Sequence, residues 1–136
     1  LEEREAAEGL ARTAREHGLG VYINQLQVVE GMAFPEWFMG QMTATDDEMF
    51  AFEVLGASLW HGPWSILGNI RCPVLLLVGE LEDPEGEALR TAARLSDARC
   101  VTFPGLGHVG AYVRSDLALE QAVPFLRGIA KRSLIA

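Results

Sequence analysis

Ile70-Arg71-Cys72-Pro73-Val74-Leu75-Leu76-Leu77-Val78-Gly79-Glu80-Leu81-Glu82-Asp83-Pro84 is the stretch on which the fold turns. Val74 to Val78 is a continuous apolar run after a proline, the pattern of a parallel strand buried on both faces. Gly79 ends it. Asp83 and Pro84 then supply an N-cap and a first helical residue for a helix over 85–95. A Ser96–Asp97 turn leads into a second strand over 99–103, which completes a right-handed β-α-β unit. Pro104, Gly105, Leu106, Gly107 and His108 form a loop. A last helix begins near Ser115 and is bent or interrupted by Pro124.

Two buried-type strands do not make a stable sheet. Parallel strands need cover on both faces and pairing at both edges, so this unit leans on strands that the chain does not contain. The fold class is therefore partial α/β, a helical region followed by a β-α-β-α unit of a larger parallel sheet. Its expected partners are a missing N-terminal half or a second copy that covers the exposed sheet edges.

Upstream, residues 1–17 are rich in helix formers, with acids in the first turn and Gly18 placed to end the helix. A second helix over 21–29 sets Tyr22, Leu26 and Val29 on one face and stops at Gly31. Phe34, Trp37, Phe38, Met39 and Met42, interrupted by Pro35 and Gly40, predict a short helix or turn with a partly pocket-facing surface. Thr45 with Glu48 reads as a capping box for a helix to about Ser58, with Met49, Phe50, Val54 and Ala57 as its buried stripe. Residues 60–69 are an irregular connection, so the subregions divide as 1–69 and 70–136.

The 136 residues are 49% hydrophobic and 22% charged, ordinary for a globular protein with a sizeable core. A net charge of -8 excludes an electrostatic grip on nucleic acid or on an anionic membrane. No apolar run approaches the roughly 18 to 20 residues of a membrane span. The opening Leu1-Glu2-Glu3-Arg4-Glu5 is too polar for a signal peptide, which makes the cytoplasm the default location. A chain that opens on Leu1 still leaves room for a preceding domain. Cys72 and Cys100 are expected as buried thiols in or beside the strands, without chemistry. No spacing suggests a metal site and no Gly-rich loop suits a phosphate, so no cofactor is expected.

Residues Ile70 to Glu80 with Asp83 and Pro84 resemble the late strand and acid loop of α/β-hydrolases. Ala98 to His108, with Gly105 and Gly107 before the histidine, resemble the strand and histidine loop of the same family, and Phe125 and Leu126 match its closing helix. The resemblance covers Ile70 to Arg127. Leu1 to Asn69 is similar only by position to the helical cap such enzymes carry ahead of these strands.

The resemblance implies a triad in which His108 is the base and an acid holds its imidazole in one tautomer. The family's Asp stands three residues after the strand-ending Gly, a position held here by Glu82. A one-residue insertion makes Asp83 the acid, in keeping with the family's Asp–Pro pair, although Asp83 also suits a simple helix cap. Asp83 and His108 are the expected catalytic pair, with Glu82 as the alternative acid. Phe34, Trp37, Phe38 and Met39 are the expected substrate-binding residues of the lid.

The nucleophile is missing. Ser58, Ser65, Ser96, Ser115 and Ser133 all lack the G-x-S-x-G frame, and Gly56-Ala57-Ser58 fails because Trp60 occupies the last position. The expected function is thus the acid–histidine portion of a serine hydrolase acting on an ester, amide or related bond of a small apolar substrate. Two other readings compete: a non-catalytic module that binds a small ligand or a partner, and a self-associating truncated module. His61 is expected in an exposed turn, and His17 at a helix C-terminus favoured by the dipole.

Overall fold

The computed structural model describes residues 2–60, 62 and 64–133. The chain divides into two compact units between residues 62 and 63.

The first unit is all helical: α1 (Glu2–His17), α2 (Leu19–Glu30), α3 (Glu36–Ala44) and α4 (Asp47–Ser58). Helix α1 packs mainly on α4 and next on α2. Ala7, Ala11 and Ala14 recur at helical spacing along the buried side of α1, and α4 buries Ala51. Such small side chains let helix backbones approach closely. Leu19 and Ile23 fill the centre with Phe34 and Phe38, Ile23 being 0% exposed. The buried side of α2 therefore runs through Leu19 and Ile23. Val29, expected on the buried stripe, is 76% exposed near the helix end.

Polar contacts close the joints. Gly18 takes the left-handed φ of 79° between α1 and α2 and offers no side chain as a cap. Asp47 of α4 takes that part, its carboxylate accepting from the Leu19 N–H at 2.9 Å. Gly31 ends α2 at a left-handed φ of 64°. The capping box does not form. Asp46 caps α4 by accepting from the Met49 N–H at 2.9 Å, while the Thr45 hydroxyl donates back to the Gln41 carbonyl. Glu48 is engaged by Arg15 at 3.0 and 3.1 Å. Of the expected α4 stripe, Met49 and Ala57 are exposed and Phe50 and Val54 half-buried, because Ala51 faces the close contact.

The second unit begins with a 3₁₀ turn (Leu67–Asn69) and continues as β1 (Val74–Gly79), α5 (Glu87–Ala92), β2 (Ala98–Phe103), α6 (His108–Val113) and α7 (Ser115–Ser133). The strands pair in parallel from Val74 opposite Ala98 to Gly79 opposite Phe103. The boundary lies ahead of the expected residue 69 because Arg94 stacks over the Trp64 ring, 4.5 Å from its centroid, and draws the connection into this unit. The Ser96 hydroxyl adds a 2.8 Å bond to the Ile70 carbonyl.

Among the described residues the sheet has two strands, and β1 has one unpaired edge. Residues 74–78 are accordingly only half-buried, although their sequence is that of a fully buried strand. Among the described residues, the buried apolar side chains here are Leu67, Phe103, Val109 and Val113. Helix α7 runs continuously through Pro124. Cys100 is half-buried in β2, whereas Cys72, before β1, is exposed, because the sheet gives that end no cover. Burial, and next the Asp83 charge, raise the Cys100 thiol pKa above its ordinary value, which disfavours the thiolate. No described helix is long and apolar enough to cross a membrane.

Candidate active site

Both strands end at the same level, with Gly79 opposite Phe103, and the loops that follow lie against each other. A Cβ placed on Gly79 would stand 2.4 Å from the carbonyl oxygens of both Leu106 and Gly107. No real side chain tolerates that approach, so glycine here is a packing requirement. Across this contact the Glu80 N–H donates to the Phe103 carbonyl and the Leu81 N–H to the Leu106 carbonyl, each at 3.0 Å. The Gly105 N–H returns a bond to the Glu80 carboxylate at 2.8 Å.

The laced loops bring Glu82 onto His108. Glu82 Oε1 lies within hydrogen-bond distance of His108 Nδ1. A carboxylate can only accept, so Nδ1 carries the proton and Nε2 of the neutral ring is left as a base. The His108 side chain is 76% exposed, which leaves Nε2 open to an incoming group. His108 is also the first residue of α6, a six-residue helix that sequence patterning missed. Gly110 and the short length of His108–Val113 hide its periodicity.

Asp83 is placed differently. Its two carboxylate oxygens accept from the N–H groups of Glu87 and Ala88, the latter at 2.9 Å, and so cap α5. The helix starts at Glu87, later than residue 85, after Gly86 turns the chain at a left-handed φ of 70°. That extra turn brings the α5 amides over Asp83. With both oxygens committed, the structure sets Glu82 rather than Asp83 against the imidazole. Position three after the strand-ending Gly is thus the one that reaches His108, with a Glu where the resembling family has Asp.

A cavity of about 450 Å³ touches this pair. Besides Glu82 and His108 it is lined by Leu76, Leu77, Val78 and Tyr112, with small residues of α5, α6 and α7. Successive strand residues point to opposite faces, so a cavity that touches Leu76, Leu77 and Val78 together wraps an edge of β1.

The residues expected in the lid separate. Phe34 and Phe38 are buried edge-to-face at 5.5 Å between centroids and serve the core of the helical unit. Trp37, 50% exposed, leans on Phe38 at 5.8 Å, and Met39 is half-buried. Ser58 donates within its helix to the Leu55 carbonyl, and Ser96 donates to Ile70 near the start of β1, far along the strand from His108. No described serine stands on a strand-to-helix elbow. Among the described residues no group of His, Cys, Asp or Glu is arranged to hold a metal. His17 ends α1 beside Glu16, and His61 lies outside the described residues.

Two solved structures share the fold of this chain. MenH from S. aureus superposes with a TM-score of 0.73 at 19% identity, over 93% of this chain and 52% of its own. The chain carries part of an α/β-hydrolase fold. A thermophilic esterase from Thermogutta terrifontis, solved with malate bound, gives 0.69 at 19% identity, over 94% of this chain and 51% of its own. The chain thus spans about half the length of either hydrolase-fold protein. No protein-family model and no curated protein sequence matches it.

Proposed function

We propose that this chain supplies the acid–histidine half of a serine hydrolase that cleaves an ester, amide or related acyl bond of a small substrate. The observation that carries this reading is the Glu82–His108 pair at the C-terminal end of two parallel strands, where open α/β sheets place their ligands. His108 Nε2 takes the proton of a serine hydroxyl as that oxygen attacks the acyl carbon, then returns it to the leaving group. Glu82 holds the ring in the Nδ1–H tautomer and stabilises the imidazolium that forms. The serine and the oxyanion donors come from a segment that also adds a parallel strand to the free edge of β1. A preference for an apolar acyl or alkyl group rests on Leu76, Leu77 and Val78, which line the cavity beside Glu82 and His108.

The test is labelling of the assembled, serine-bearing enzyme by a fluorophosphonate, with Glu82→Gln and Asp83→Ala compared. Glu82→Gln is expected to slow labelling by about 10³-fold or more with little loss of stability, because an amide cannot hold the productive tautomer. Asp83→Ala is expected to cost about 1 kcal/mol of stability through the lost cap while labelling stays within about tenfold. The opposite ranking would make Asp83 the acid. No labelling of the assembled protein at all would remove the hydrolase reading in favour of a binding module.

A further inference from the structure

We propose that Glu80 is a positioning residue, whose carboxylate fixes the histidine loop so that the His108 ring stays on Glu82. The functional consequence rests on the hydrolase reading above, while the geometric claim stands on the loops themselves.

Among the described residues four bonds join the acid loop to the histidine loop, and they differ in kind. Those from the Glu80 and Leu81 N–H groups to the Phe103 and Leu106 carbonyls run from backbone to backbone, and almost any sequence can make them. The Glu82–His108 bond joins the reacting pair itself. The remaining one, Gly105 N–H to Glu80 Oε2 at 2.8 Å, depends on a side chain outside that pair. It also falls on the turn that leads to His108. Gly105 has a φ of 69° in a turn that Pro104 enters and that the Leu106 N–H closes on the Phe103 carbonyl through a long bond of 3.4 Å. The shorter, charge-assisted bond from the Gly105 N–H to Glu80 adds a second restraint to this turn, three residues before His108.

Glu80 and Glu82 therefore act on one loop from either side of Leu81. Glu80 grips the turn, and Glu82 meets the imidazole at the loop's end. Without Glu80 the Gly105 amide turns to water, the turn samples other conformations, and the ring loses its fixed partner. Glu80 reaches no reacting atom, so its effect passes entirely through the histidine.

The experiment is nitrogen NMR on the labelled full chain, at a pH where the His108 ring is neutral, with E80A and E80Q compared. In the parent, the ring is expected in the Nδ1–H form. In E80A the ring shifts toward Nε2–H and the Gly105 amide exchanges with solvent about fivefold faster, the magnitude of one net hydrogen bond. E80Q keeps an acceptor oxygen and restores both signals, while far-UV circular dichroism is the same for all three proteins. A parent ring already in the Nε2–H form sinks the hydrolase reading and this proposal with it. A parent ring in the Nδ1–H form that E80A leaves unchanged, or that E80Q fails to restore, sinks this proposal alone. Should E80A lose its fold, E80D takes its place with the same two outcomes, since it keeps the charge but shortens the reach to Gly105.

Discussion

The helical unit and the β-α-β-α unit hold together by different means. In the first, Leu19, Ile23, Phe34 and Phe38 close a core against an alanine-lined helix, while Val28, Val29, Phe52 and Trp60 stay largely exposed around it. In the second, five consecutive apolar strand residues stay half-buried, and the Glu82–His108 pair is held by loop hydrogen bonds and one glycine contact. Burial follows the partners a segment has within the chain, whereas site geometry follows local backbone complementarity. The second unit is well specified at its loops and thinly covered along its strand.

That contrast breaks most readily at Ile23. Ile23→Ala removes a side chain with no exposure and is expected to cost about 3 kcal/mol, whereas Leu76→Ala on half-buried β1 is expected to cost about 1 kcal/mol. Denaturant melts of both variants measure the difference. Equal losses would show that the strand is as enclosed as the helical core. Gly79→Ala comes next, at about 2 kcal/mol, because the loop backbones must move apart to admit a methyl group. Its particular mark is loss of the His108 Nδ1–H signal, a change that Ile23→Ala is not expected to produce.

The smallest effect lies at the start of α7. Arg114 donates two hydrogen bonds to Asp116, at 2.8 and 2.6 Å, and they hold that carboxyl at about 2, below its ordinary 3.8. A lowered folded-state value means the pair contributes above the ordinary carboxylate range and is lost as pH falls through about 2. The pair lies at the surface, so the stability involved is slight. Carboxyl-carbon NMR should give a midpoint near 2 for Asp116, returning toward the ordinary value in Arg114→Ala.

How much was legible in the sequence follows from the range of the forces involved. The apolar run at 74–78, the glycine stops at 18 and 31, and the parallel pairing of the two strands all announce themselves locally, and the observed elements follow them. The cap of α4 and the acid facing His108 depend on where a helix begins to within one or two residues. Thr45 and Asp46 are both good caps, and Glu82 and Asp83 are adjacent carboxylates. Tertiary placement of the following amides chose between them, and composition cannot. Phe34 and Phe38 look like pocket residues by their aromatic character, but they are large apolar groups beside a helix pair that needs a core.

The approach at Gly79 has an entropic consequence. Because the acid loop and the histidine loop touch backbone to backbone there, neither loop can close further on the other. Two flexible side chains on separate loops would each have to be immobilised anew for every reaction cycle. Here that ordering is completed during folding, so in the proposed reaction a group reaching Nε2 would meet a base that is already aimed.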